Sequence, residues 1–206
     1  MEKHEIAVLD IKVGVMGEVL GSTGYSYIDM YELPHASLDA YACLVINGSS
    51  DQEFLLKHKA VIENFLDQGK VVLFGGQLFR PWLPGGSDFI PRTIHSHLDY
   101  HITVAKEHPI FEGVDPSELT YKKGVAGFFA RGHHPVPEGA EVLLTLPDGE
   151  PTLYIDRSST KGTLMVSSGY NLLGYRDGDS TSLIGERVEA WIEQEYKQLQ
   201  EGVPSR

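Results

Sequence analysis

Two uninterrupted apolar runs constrain this chain more than any other feature. Ala42-Cys43-Leu44-Val45-Ile46 and Val71-Val72-Leu73-Phe74 carry no polar residue, so neither fits a strand with one face in water. Between them lies the Asn47-Gly48-Ser49 turn, and Ser50-Asp51-Gln52-Glu53 has the S-x-x-E form of a capping box. Leu55, His58, Ile62, Phe65 and Leu66 then approximate a 3.6-residue period, with Gly69 as the C-terminal stop. Strand, turn, helix and strand at this spacing make a βαβ unit, whose crossover is right-handed.

The remaining elements are shorter. Ile6-Ala7-Val8-Leu9, ending at Asp10, reads as a buried strand, and Tyr27–Tyr31 as a second one. Gly14 to Gly24 reads as a loop leading into a short helix. Thr93 to Val104 alternates, with Ile94, Leu98, Tyr100, Ile102 and Val104 on an apolar face, the pattern of a half-buried strand. Further strands are expected at Val125–Ala130, Glu141–Leu146, Thr152–Ile155 and Thr163–Val166, with Pro147-Asp148-Gly149 closing an antiparallel hairpin. A final helix is expected from about Leu183 to Leu199, with Ile184, Val188, Trp191, Ile192 and Tyr196 on one stripe. The 206 residues make one domain over 1–201 and a frayed tail over 202–206.

Composition excludes several function classes. The formal charge of −12 repels a phosphate backbone or an anionic membrane, so no nucleic-acid and no membrane partner is expected. The lone Cys43 rules out an internal disulfide framework. No apolar stretch reaches membrane-spanning length and Met1–Glu5 lacks a signal-peptide core, so a cytoplasmic location is expected.

In an open parallel sheet, ligands bind outside the carboxyl ends of the strands. Asp10, Asn47, Gly48, Ser49, Gly75, Gly76, Gln77, Tyr170 and Asn171 all follow strands in this way and form the candidate ligand-binding set. The amides of Ser49 and Ser50 sit where a helix begins, which favours an anion or a polarised oxygen. The same residues serve equally as a turn and cap, and Gly75-Gly76 as a tight strand–helix packing point.

Three phrases carry a family resemblance. Tyr41–Gly48 resembles the strand and glycine turn of class I glutamine amidotransferase-like proteins, and Lys70–Gln77 resembles their nucleophile-elbow strand. His108-Pro109-Ile110-Phe111-Glu112-Gly113-Val114 is similar to a phrase of their ThuA-like relatives. Over roughly residues 5–115, the resemblance implies an α/β fold with a doubly wound, mostly parallel, flavodoxin-like sheet and a pocket at the elbow. The late strands add an antiparallel β extension in the C-terminal half. An active amidotransferase has a cysteine at the elbow, with a His–Glu pair after a late strand. Here Phe74-Gly75-Gly76 offers no thiol or hydroxyl, and Ser168-Gly169-Tyr170-Asn171 offers no histidine. No catalytic residue, metal or cofactor is therefore assigned.

Other nucleophiles and ligands are poorly placed. Cys43 lies within an apolar strand, where a thiol packs as a small hydrophobe. Ser49 has no indicated base. His95, His97, Asp99 and His101 share the polar face of the alternating segment, but strand neighbours two apart lie about 7 Å from each other. Adjacent side chains diverge, so one of His133 and His134 can enter a pocket. The expectation is a degenerate, non-catalytic amidotransferase-like protein that binds a small polar or anionic ligand, or a protein partner, at the strand ends. A homo-oligomer is compatible with this. The alternative is a hydrolase of a small polar or sugar-like substrate, metal-assisted through the histidines.

Overall fold

The computed structural model describes residues 4–11, 24–122, 124–127, 129–169, 171–175 and 178–202. The apolar runs become strands β1 (Glu5–Asp10), β2 (Ser26–Asp29), β3 (Tyr41–Asn47) and β4 (Val71–Gly75). After the short pieces β5 (Ile90–Pro91), β6 (Thr103–Val104), β7 (Tyr121–Lys122), β8 (Val125–Ala126) and β9 (Gly132–His133) come three longer strands. These are β10 (Glu141–Thr145), β11 (Pro151–Asp156) and β12 (Thr163–Ser167).

An eight-stranded sheet runs in the order β2-β1-β3-β4-β12-β11-β10-β6. Its pairs from β2 to β12 are parallel, and those from β12 to β6 are antiparallel. Order 2-1-3-4 followed by a fifth parallel strand is the flavodoxin-like, doubly wound arrangement. The α/β class, the parallel body and the antiparallel C-terminal extension are as the sequence led us to expect.

Alternation along each strand explains why the runs must be wholly apolar. Val8, Val45, Leu73 and Met165 face one layer, where α4 (Ser182–Gln200) packs Ile184, Val188, Trp191 and Ile192 against them. Leu9, Leu44, Ile46, Val72 and Phe74 face the other, under Leu55, Ile62, Phe65 and Leu66. The latter come from α1 (Gln52–Lys57) and α2 (Lys59–Asp67). The single helix expected from the periodicity is thus split at His58, whose backbone (φ −112°, ψ 19°) leaves the helical region. The cap also shifts by one residue: Asp51, not Ser50, accepts from the amides of Glu53 and Phe54.

The alternating segment is the main correction. Thr93 to Val104 is not a strand; it contains a 3₁₀ turn at His97–Tyr100 and pairs with the sheet only through β6. The Asp99 carboxylate accepts from the amides of His95 and Ser96, both at 2.7 Å, and Ser96 Oγ accepts from Leu98 N at 3.2 Å. Local capping outcompetes a ladder here. Leu98, assigned above to the apolar face, is 60% exposed. The strand expected at Val125–Ala130 shrinks to β8, in a two-residue hairpin with β7 (α3, Pro116–Thr120, precedes it). Pro147-Asp148-Gly149 does join antiparallel β10 and β11. The helix expected between Gly14 and Gly24 falls almost wholly outside the described residues, as do Tyr170 and most of the tail. Among the described residues no helix is long and apolar enough to cross a membrane.

Candidate functional site

Sheet order reverses between β1 and β3, which puts the switch point at Asp10 and Asn47. Asn47, Gly75 and Ser167 are register partners across β3, β4 and β12, so their carboxyl ends form one row. Asp10 extends that row and is itself paired in register with Asp29 on β2. Of the expected set, Asp10, Asn47, Gly48, Ser49, Gly75, Gly76, Gln77 and Asn171 are all brought to this end of the sheet. Tyr170 lies outside the described residues.

The glycine corners meet, and in meeting they close the space expected between them. Gly48 N donates to Gly75 O at 2.7 Å. A Cβ on Gly48 would stand 2.7 Å from Gly76 Cα, and one on Gly76 would stand 2.3 Å from Gly48 Cα. Gly76 also has φ +149°, which a side chain rarely adopts. Backbone packed on backbone, rather than a cleft, occupies the elbow. The neighbouring void, bounded by Leu73, Phe74, Met165, Ser167, Asn171 and Leu172, measures about 10 Å³, room for one water.

Two of the polar side chains along the row are already engaged. Asp10 Oδ1 accepts from Ile11 N at 2.7 Å, and Asn171 Oδ1 accepts from Leu173 N at 3.0 Å. Ser49 and Gln77 are exposed, and the Gln77 carbonyl takes a hydrogen bond from Gln52 Nε2 at 2.7 Å. The start of α1, expected to attract an anion, is occupied by the Asp51 carboxylate. With Asp10 and Asp29 also at this end, an anion meets repulsion there.

Two buried side chains, one inside the expected capping box and one from the His133-His134 pair, organise the loop after β4. Gln52 is 1% exposed; besides the bond to Gln77 O, its Oε1 accepts from Phe79 N at 3.0 Å and Trp82 Nε1 at 3.2 Å. His134 is equally buried and lies in the interior rather than in a pocket. Its Nε2 accepts from Leu78 N at 3.1 Å, and its Nδ1 is 3.0 Å from Ser168 Oγ. A backbone N–H can only donate, so the neutral ring carries its proton on Nδ1 and donates to Ser168. Burial, with His133 adding a smaller push, lowers the His134 pKa to about 4. Ser168 therefore faces the protonated nitrogen of a neutral imidazole, the wrong tautomer for a general base.

The remaining candidates are dispersed. Cys43 is fully buried, and burial drives its thiol far above the ordinary range. His95, His97 and His101 are exposed on an irregular segment. His133 Nδ1 lies 3.9 Å from Glu150 Oε1, beside Arg92, which binds Glu150 and Asp148. Among the described residues no three His, Cys, Asp or Glu side chains gather in a metal-binding arrangement.

No family model matches the sequence, and no curated relative matches it. Among solved structures, the chain is similar to the crystal structure of a glutamine amido transferase from Methylobacillus flagellatus, with TM-score 0.46 and 12% identity over 100% of this chain and 97% of that one.

Proposed function

We propose that this chain is a non-catalytic relative of the class I amidotransferase-like proteins, akin to their ThuA-like members, and that it works by binding at the carboxyl ends of its parallel strands. The observation that carries the reading is the elbow itself: Gly48 and Gly76 pack backbone to backbone where the family places its thiol. Strand order 2-1-3-4 supports the kinship, as do the Lys70–Gln77 and His108–Val114 phrases. The tautomer of His134 removes the nearest substitute base from Ser168. The carboxylates of Asp10, Asp29 and Asp51 favour a neutral or cationic group over an anion, and the small void favours contact over engulfment.

The test is turnover followed by mapping. Purified protein incubated with glutamine, and separately with an activated ester, releases no more product than the Ser168→Ala variant. An NMR screen of small amides and amines then shifts the amides of Asp10, Asn47 and Ser49. Ammonia or acid release that disappears in Ser168→Ala overturns the non-catalytic reading, and shifts confined to the opposite end of the sheet overturn the location.

A further inference from the structure

Two exposed aromatic residues are tied to the first turn of α1. Tyr31, 47% exposed, packs edge-on against Phe54 at 5.0 Å between centroids, and its hydroxyl reaches Asp51 Oδ2 at 3.3 Å. Phe79, 51% exposed, has its backbone amide bound by Gln52 of the same turn. Both rings stand on rigid supports. Asp29 Oδ1 accepts from Tyr31 N at 3.0 Å, and the buried Gln52 and His134 hold the backbone at Gln77, Leu78 and Phe79. Exposed aromatic rings whose backbone is already ordered lose little freedom on binding, which is how interface anchors gain affinity.

The chain also displays the chemistry such rings accept. The Arg80 guanidinium lies 5.7 Å over the Phe79 ring and pairs with Glu53, so one cation is held by an aromatic face and a carboxylate together. Tyr31 offers a comparable setting: an exposed ring whose hydroxyl reaches the Asp51 carboxylate and whose backbone amide is held by Asp29. We propose that Tyr31, Phe54 and Phe79 form a docking surface for a basic segment of a partner protein, which lays an arginine or lysine over Tyr31 between Asp29 and Asp51. This names the partner for the binding reading above and rests on it. The charge of −12 draws such a segment in, and the rings give it a fixed seat.

The probe is a blocked pentapeptide alternating arginine and leucine, with its glutamate-for-arginine counterpart, titrated against the full chain at two salt concentrations by NMR. The basic peptide shifts Tyr31, Phe54 and Phe79, binds more weakly at high salt, and loses about tenfold in affinity in Tyr31→Ala and in Phe79→Ala. Leu98→Ser, a change at an exposed apolar residue elsewhere, leaves its affinity unchanged. Equal loss in Leu98→Ser, or binding insensitive to both aromatic variants, reduces the effect to diffuse charge and overturns the proposal. Equal binding of the acidic peptide also overturns it. Shifts at Asp10 and Asn47 alone overturn this surface while leaving the binding reading intact, whereas glutamine turnover breaks that reading without touching this result. Unchanged melting of each variant shows that the fold survives.

Discussion

The parallel half of the molecule and the segment between β4 and β10 are held together by different physics. In the first, β1, β3, β4 and β12 are covered on both faces, and their side chains interlock with α2 and α4. Burial of that kind is non-directional, and many apolar sequences of the right period achieve it. In the second, the described residues of 77 to 134 form strands of two residues each, and individual polar side chains hold the path. Gln52 and His134 pin the backbone at 77–79, Asp99 caps the 3₁₀ turn, and Arg92 ties the segment to the β10–β11 hairpin. A pattern of apolar positions specifies the first arrangement. Particular hydrogen bonds specify the second.

Substitutions in the two regions should therefore fail differently. Phe65→Ala, in the core between α2 and the sheet, is expected to cost about 4 kcal/mol and to lower the stability of the whole domain, read as a single shifted urea transition. A loss confined to α2 would break the picture of one cooperative parallel half.

Acid should act on the other region through His134. Its imidazole titrates near 6.5 when unfolded and at about 4 when folded, so the unfolded chain binds more protons between those values. The contribution is complete above pH 6.5 and is lost as pH falls towards 4, by about 3 kcal/mol in full. Unfolding at pH 7 and pH 4.5, in the native chain and in His134→Gln, isolates it from the carboxylates. A variant with the same pH dependence as the native chain removes His134 from the account.

Gln52→Ala leaves Gln77 O, Phe79 N and Trp82 Nε1 without their partner, and about 2 kcal/mol should be lost. Hydrogen exchange should quicken at residues 77–82 and stay slow in β1 and β3. A uniform increase would mean that the loop is part of the sheet's cooperative unit. The smallest effect is expected at Leu98→Ser, within about 0.5 kcal/mol of zero, because the side chain is 60% exposed. A large loss there would restore the half-buried strand.

Legibility followed the same divide. The strands of the βαβ unit, the closing helix and the β10–β11 hairpin were readable because burial on two faces imposes continuous apolar runs and one-sided stripes. Thr93 to Val104 misled because alternation also arises by chance in a segment whose backbone is captured by Asp99 and Ser96. The glycine corners were readable as corners, but their contact was not: two glycines 28 positions apart in sequence signal tight turns, not which atoms face each other. Gln52 read only as an inner position of the capping box, and the His133-His134 pair only as one ring turned inward; neither reading named a partner, since a polar residue in a first helical turn or a loop is ordinarily solvated.

By itself the amino-acid order determined the layered α/β architecture, the acidic charge and the absence of a thiol from Phe74-Gly75-Gly76, because each follows from local composition and period. The tertiary structure alone decided that Gly48 and Gly76 pack on each other, that the His134 proton points at Ser168, and that Tyr31 and Phe79 are both tied to one helical turn. Those facts depend on distances between residues remote in the chain, which periodicity does not encode.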